Sequence, residues 1–174
     1  MQLREMILEE HSKAQRDRIV DYIGADKKRF AALMDLFFAG EYRVSQRAAW
    51  PMSYCVQEHP ALIAPYFGRL IRHMNKPGVH DAIVRNTLRL LQQVEIPKKY
   101  HGELMNACFA FIEKPDTAVA IKAFALTVLG NLARLYPEIL PEIMLVIEDR
   151  FDHETAAFRS RARKLLNSSN NRKK

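Results

Sequence analysis

The sequence predicts an all-α chain built as a stack of helix pairs. Three observations predict it. Only 6 of the 174 residues are glycine, and β-branched alternation is hard to find. Apolar residues recur at helical spacing; Ile121, Ala125, Val128, Leu129 and Leu132 make one stripe through residues 115–144. Breakers punctuate the chain at Ala39-Gly40-Glu41, His59-Pro60, Asn75-Lys76-Pro77-Gly78, Pro97 and Lys114-Pro115-Asp116-Thr117.

Taken in order, residues 3–23 read as one amphipathic helix, with Leu3, Met6, Ile7, Ala14, Ile19, Val20 and Ile23 inward and the charged remainder wet. Gly24 and Asp26 end it and start the next. Residues 27–38 present Phe30, Leu33, Met34, Phe37 and Phe38. Residues 44–58 form a third helix with Pro51 inside it, a site for a kink costing about 3 kcal/mol unless offset. Residues 61–74 carry Pro65 in their first turns, where a missing N–H matters least. Helices follow over 80–95, 98–113, 118–135, 137–150 and 153–167, with Asp116 or Thr117 an expected N-cap. The final residues from Asn167 lack any apolar side chain and are expected to fray.

Composition narrows the class. Hydrophobic residues make up 48% and charged residues 27%, the balance of a foldable soluble chain. The N-terminus carries charge throughout and has no apolar core of a secretory signal; no run approaches a membrane span, so no membrane partner is expected. Cys55 and Cys108 stand far apart within apolar stretches and form no CxxC pair, which points to reduced, buried thiols and a cytoplasmic setting. The net charge of +7 is unevenly placed. Residues 151–174 hold seven Lys+Arg against two acids, so this segment carries +5 and the preceding 150 residues only +2. A protein that wraps nucleic acid usually spreads cations along its binding face, and this distribution weakens that reading.

A basic residue following an apolar one recurs early in alternate helices: Arg47, Arg85, Lys122 and Arg159, spaced 38, 37 and 37 residues apart. The apolar pattern coincides around three of them, in Val84, Leu88 and Leu91, in Ile121, Ala125, Val128 and Leu129, and in Phe158, Ala162, Leu165 and Leu166. Turn acids Asp81, Asp116 and Asp152 precede the same three copies, while the copy at Arg47 is degenerate and carries Trp50 and Tyr54. This pattern resembles the HEAT-repeat family and, more loosely, the armadillo family. One unit matches through Pro65, Asp81 and Val84-Arg85, and the last through Pro141, Asp152 and Phe158-Arg159. The unit over 98–135 has Asp116 and Ile121-Lys122 without the proline, and the unit over 27–59 turns through Gly40-Glu41 and lacks both marks.

The resemblance implies a right-handed α-α superhelix, a short HEAT-like solenoid of about four helix pairs plus an N-terminal capping helix. The expected organisation is one domain over 1–168: a cap over 1–26, repeats over 27–60, 61–96, 97–136 and 137–168, and a frayed basic tail over 169–174. A lone pair cannot bury both apolar faces, so stacking is required. The resemblance also implies that the second helix of each pair lines the concave surface.

The ladder Arg47, Arg85, Lys122 and Arg159 reads either as a row of cations for an acidic partner or as a structural device pairing with Asp81, Asp116 and Asp152; the structural reading is preferred. Arg89, Arg134 and Arg163, with Asn86, Gln93 and Asn131, are candidates for open groove charge, against the plainer account of a solvated face. Trp50, Tyr54 and Tyr66 surround Pro51 and could anchor a partner, although a lone Trp at an apolar repeat position is more often core. The six histidines show no metal-ligand spacing, and nucleophile, P-loop and dinucleotide motifs are absent. No catalytic residue, metal, cofactor or small-molecule substrate is therefore expected. The leading reading is a non-enzymatic scaffold binding a protein or peptide partner in a groove. The alternative is a HEAT-like nucleic-acid-binding protein related to the alkylpurine DNA glycosylases, for which no catalytic Asp can be placed in this sequence.

Overall fold

The computed structural model describes residues 2–170, with side-chain surroundings described for residues 2–167. Ten α-helices and no strand occur among the described residues, so the fold is all-α. The chain divides into two compact units, Met1–Val94 and Glu95–Lys174.

The first unit contains α1 (Leu3–Glu9), α2 (Lys13–Ile23), α3 (Lys27–Phe38), α4 (Tyr42–Glu58), α5 (Phe67–Met74) and α6 (Asp81–Leu91). The single helix expected over 3–23 is two helices. Ser12 accepts a hydrogen bond from the Gln15 N–H at 3.1 Å and so starts a new helix rather than continuing the old one. The restart changes the inward face. Ala14, expected inside, is exposed, and Gln15 and Arg16 are buried instead. Gln15 Nε2 donates to the Met6 carbonyl at 2.6 Å and pins the two short helices together. Gly24 then closes α2 at φ 48°, a left-handed value that suits glycine, and the Asp26 carboxylate caps α3 by accepting from the Lys28 and Arg29 amides.

These helices lie in two layers. α2, α4 and α6 stand side by side, with α4 touching both neighbours, while α3 packs against α4 as a hairpin. In the other layer, α3 meets the following segment through Phe30 on Tyr66, Phe38 on His73, and the Arg69–Asp35 ion pair at 3.1 Å. Between the layers lie Phe30, Leu33, Met34, Phe37, Met52, Leu70 and Ile71, all at most 1% exposed. Each such side chain contributes about 1.5–3 kcal/mol on burial. The helix expected from residue 61 begins as a seven-residue 3₁₀ segment, Pro60–Tyr66. Pro60 stands at the first position, where no N–H partner is needed, and Pro65 has no N–H to donate, so regular α-helical bonding starts only at Phe67. α4 continues through the buried Pro51.

The second unit contains α7 (His101–Glu113), α8 (Val119–Ala133), α9 (Leu140–Arg150) and α10 (Ala156–Asn170), with 3₁₀ turns before α7, α9 and α10. α7 and α8 form a hairpin, and α10 stacks on α8. The stacking is close, since a Cβ on Gly130 would lie 3.1 Å from Leu165 Cδ1. His101 ties both ends of the hairpin. Its Nε2 is 2.6 Å from the Ile96 carbonyl, which can only accept. Nε2 therefore donates there, and Nδ1 is hydrogen-bonded with the Tyr136 hydroxyl at 2.9 Å. Neither Asp116 nor Thr117 caps α8. The turn closes first through the Thr117 N–H and Lys114 carbonyl, and the N-cap falls on Ala118. α10 is helical through Asn170, so residues 167–170, expected to fray, continue the helix; residues 171–174 lie outside the described residues.

Candidate functional site

Trp50 and Tyr54 lie half-buried on the outward side of α4, so neither is a fully enclosed core residue. Both are held by a residue the sequence placed on a wet surface. Arg16, only 7% exposed, lays its guanidinium 3.8 Å from the Tyr54 ring centroid and 4.9 Å from that of Trp50. Its Nε donates to Asp17 Oδ1 at 2.8 Å and its Nη2 to the same oxygen. His11 adds an edge contact to Trp50 at 5.3 Å between centroids. Tyr66, grouped with these rings in the sequence reading, packs on Phe30. The break at Ser12 is what turns Arg16 inward, and the Ser-Lys-Ala-Gln start is the signal that could have revealed it.

α6 runs parallel beside α4. The starts of the two helices meet where Tyr42 lies against His80, centroids 4.1 Å apart, and their ends meet where Gln57 Nε2 donates to Gln93 Oε1 at 2.8 Å. His80 also caps α6, its Nδ1 accepting from the Ala82 N–H at 3.1 Å. Between these clamps lie two outward stripes. On α4, Arg43, Gln46, Trp50, Tyr54 and Gln57 follow an i, i+3, i+7, i+11, i+14 pattern; on α6 and the turn after it, Asn86, Arg89 and Gln93 follow i, i+3, i+7, with Arg85 beside them. Every one of these nine side chains is exposed or half-buried, and none is a carboxylate.

Most arginines of this unit are satisfied. Arg4 pairs with Glu41, Arg18 with Glu9, Arg29 with Asp26 and Arg69 with Asp35. Arg47, the first rung of the ladder, donates to the Leu8 carbonyl at 2.9 Å and so satisfies the C-terminal end of α1. Arg43, Arg72, Arg85 and Arg89 are exposed and make no hydrogen bond or ion pair among the described residues. Asp81 does not pair with Arg85.

The ladder residues of the second unit behave differently. Lys122 is 4% exposed; its Nζ donates to Glu154 Oε1 at 2.7 Å and to the Pro115 carbonyl at 3.2 Å. Its acid is thus Glu154, itself 7% exposed, rather than Asp116. Arg150 Nε stands 3.7 Å from the same Glu154 oxygen. Arg159 is half-buried and makes no ion pair among the described residues, and Asp152 is exposed. Arg134 Nη2 donates to Asn131 Oδ1 at 2.6 Å, and Arg163 lies 5.5 Å from the Phe151 ring centroid. These two arginines belong to the second unit, whereas Arg89 and Asn86 belong to the first. Trp50, Tyr54, Asn86 and Arg89 are the candidates that one unit brings onto one surface.

No reactive thiol accompanies these residues. Burial pushes the Cys55 thiol up to about 12, and burial likewise raises the Cys108 thiol. Among the described residues no group of three or more His, Cys, Asp or Glu side chains stands close enough to hold a metal ion, and no helix is long and apolar enough to cross a membrane.

A family model described as a HEAT repeat domain matches residues 3–169. Comparison with curated proteins and with solved structures returned no match.

Proposed function

Since the chain belongs to the HEAT repeat family, a fold that carries many roles on one architecture, we propose that it is a non-enzymatic scaffold that holds a protein or peptide partner on its second helices. The outward faces of α4 and α6 are the proposed contact. The observation that carries this reading is the state of Trp50 and Tyr54. Two large aromatic rings are half-exposed on a helix surface, yet each is fixed from beneath by the Arg16 guanidinium. Tyr, Trp and Arg are the residue types that dominate binding energy when a partner covers them. The free, buried Cys55 and Cys108 fit a cytoplasmic setting, and their raised thiols fit a scaffold rather than a thiol enzyme. The repeat boundaries 27–60, 61–96, 97–136 and 137–168 belong to the same proposal; the division between the compact units, after Val94, falls within two residues of one of them.

Affinity capture from the native organism, followed by hydroxyl-radical footprinting of the purified complex, tests the scaffold reading. The expected result is one reproducible protein partner that protects Trp50 and Tyr54 from oxidation. Protection confined to other surfaces overturns the assignment of the face. Failure to capture any protein, together with salt-steep micromolar binding of duplex or single-stranded DNA in an anisotropy titration, overturns the scaffold reading itself.

A further inference from the structure

We infer that the shelf formed by α4 and α6 binds a carboxylate-bearing segment of a partner protein, an acidic peptide with an apolar or aromatic anchor; this rests on the scaffold reading above. The inference starts from what the shelf contains. Its two stripes carry three arginines, Arg43, Arg85 and Arg89, and no acid. The arginines are exposed and have no internal partner among the described residues, although five others in the same unit sit in ion pairs with Asp or Glu. Charge complementarity therefore falls to a molecule from outside.

Spacing refines the chemistry. Arg85 and Arg89 are one helical turn apart, about 6 Å along the axis. Two carboxylates at i and i+2 of an extended chain lie about 6.6 Å apart, and at i and i+4 of a helix about 6 Å. Either arrangement presents one carboxylate to each guanidinium, the geometry in which an arginine makes paired hydrogen bonds. Gln46, Asn86 and the Gln57–Gln93 pair supply amide donors and acceptors between the charges, suited to a peptide backbone. Trp50, in the middle of the α4 stripe, supplies an apolar contact beside them.

The same observations disfavour a nucleic-acid strand as the occupant. Three cations release few counterions. A phosphodiester strand following the helices would also run past both ends of the shelf, where the exposed Asp81 and Glu58 stand.

Trp50 is the only tryptophan in the chain, so its emission reports on the shelf. The test uses the full chain and fluorescein-labelled 12-residue peptides carrying Glu at i and i+2, or at i and i+4, around one Leu. Matched peptides carry Gln or Lys in place of Glu, and a 12-nucleotide single strand and its duplex complete the set. At low salt one Glu peptide is expected to bind and shift Trp50 emission, with the Gln peptide about tenfold weaker. Arg85→Glu/Arg89→Glu is expected to lose the Glu peptide and gain the Lys peptide. Arg72→Glu, a free arginine on α5, should leave binding unchanged; all three sites are exposed, and circular dichroism confirms that the variants fold. Equal binding of Glu and Gln peptides, failure of the charge swap, absence of binding to every peptide, or tighter binding of DNA lost in the same double variant each overturns the inference. If the double variant still captures the cellular partner with Trp50 protected, the scaffold reading stands and only the acidic character of the partner falls.

Discussion

Replacing Glu154 with alanine leaves the Lys122 ammonium almost fully buried, with the Pro115 carbonyl as its remaining acceptor. Burying an ion costs several kcal/mol, and its partner offsets that cost only while it is present. Removing one member of such a pair typically destabilises by about 3–5 kcal/mol. The reverse substitution is milder. Lys122→Met deletes the cation itself, and Glu154 keeps Arg150 at 3.7 Å, so about 1–3 kcal/mol is expected. The asymmetry fixes the sign of the double variant. In the Glu154→Ala background, Lys122→Met removes an uncompensated charge and should restore stability. Urea unfolding followed by far-UV circular dichroism measures all three. With a slope of about 2 kcal/mol/M, Glu154→Ala should lower the midpoint by roughly 1.5–2.5 M, and the double variant should recover part of that. Asp35→Asn breaks the exposed Arg69–Asp35 pair, whose side chains are 50% and 72% exposed, and should cost less than about 1 kcal/mol. A double variant less stable than Glu154→Ala, or a Glu154→Ala cost no larger than that of Asp35→Asn, would refute the reasoning.

Three further outcomes are expected. His73 is held below its ordinary 6.5, by burial first and then by Lys76 and Arg69, so the unfolded chain binds its proton more readily. Stability from this site is full above 6.5 and falls as pH drops through the lower folded value; His73→Phe, which keeps the ring against Phe38, should flatten that part of the pH profile, and an unchanged slope contradicts the assignment. A thiol-reactive dye at pH 8 should label neither Cys55 nor Cys108 until urea unfolds the chain, and labelling of the native protein at the unfolded rate contradicts their burial. Gly102→Ala, with open space around the new methyl in α7, should stabilise by about 0.5–1 kcal/mol, whereas Gly130→Ala should fall at least about 1 kcal/mol short of it because its methyl meets Leu165; thermal melts that rank the two the other way contradict the close approach of α8 and α10.

The family pattern was legible because it is local. Apolar residues at helical spacing, prolines and turn residues all act within a few positions, and α3 runs from Lys27 to Phe38 as the periodicity predicts. What escaped were contacts between distant segments. Lys122 looked as though it faced Asp116, six residues away, yet the fold brings Glu154 within 2.7 Å from 32 residues on. Arg47 satisfies a backbone carbonyl at Leu8, and a carbonyl leaves no mark in a side-chain pattern. The Ser12 cap changed the face of α2 by restarting the helix, so Arg16 moved from the wet side to the space under Trp50. The candidate site is legible in part, since Trp50, Tyr54, Asn86 and Arg89 all stand out in the sequence. Their assembly is not, because it depends on the contacts of Tyr42 with His80 and Gln57 with Gln93, which fix the register of two helices.

The Arg16 guanidinium has a thermodynamic consequence for any molecule that covers Trp50. Immobilising a side chain at an interface costs about 0.5–1.5 kcal/mol when that side chain was free before the encounter. The indole and the Tyr54 phenol are already confined by the cation beneath them and, for Trp50, by the His11 edge. Their loss of rotational freedom accompanies folding rather than association. Arg16→Ala would therefore raise the dissociation rate of a partner that rests on these rings without removing a single atom the partner touches.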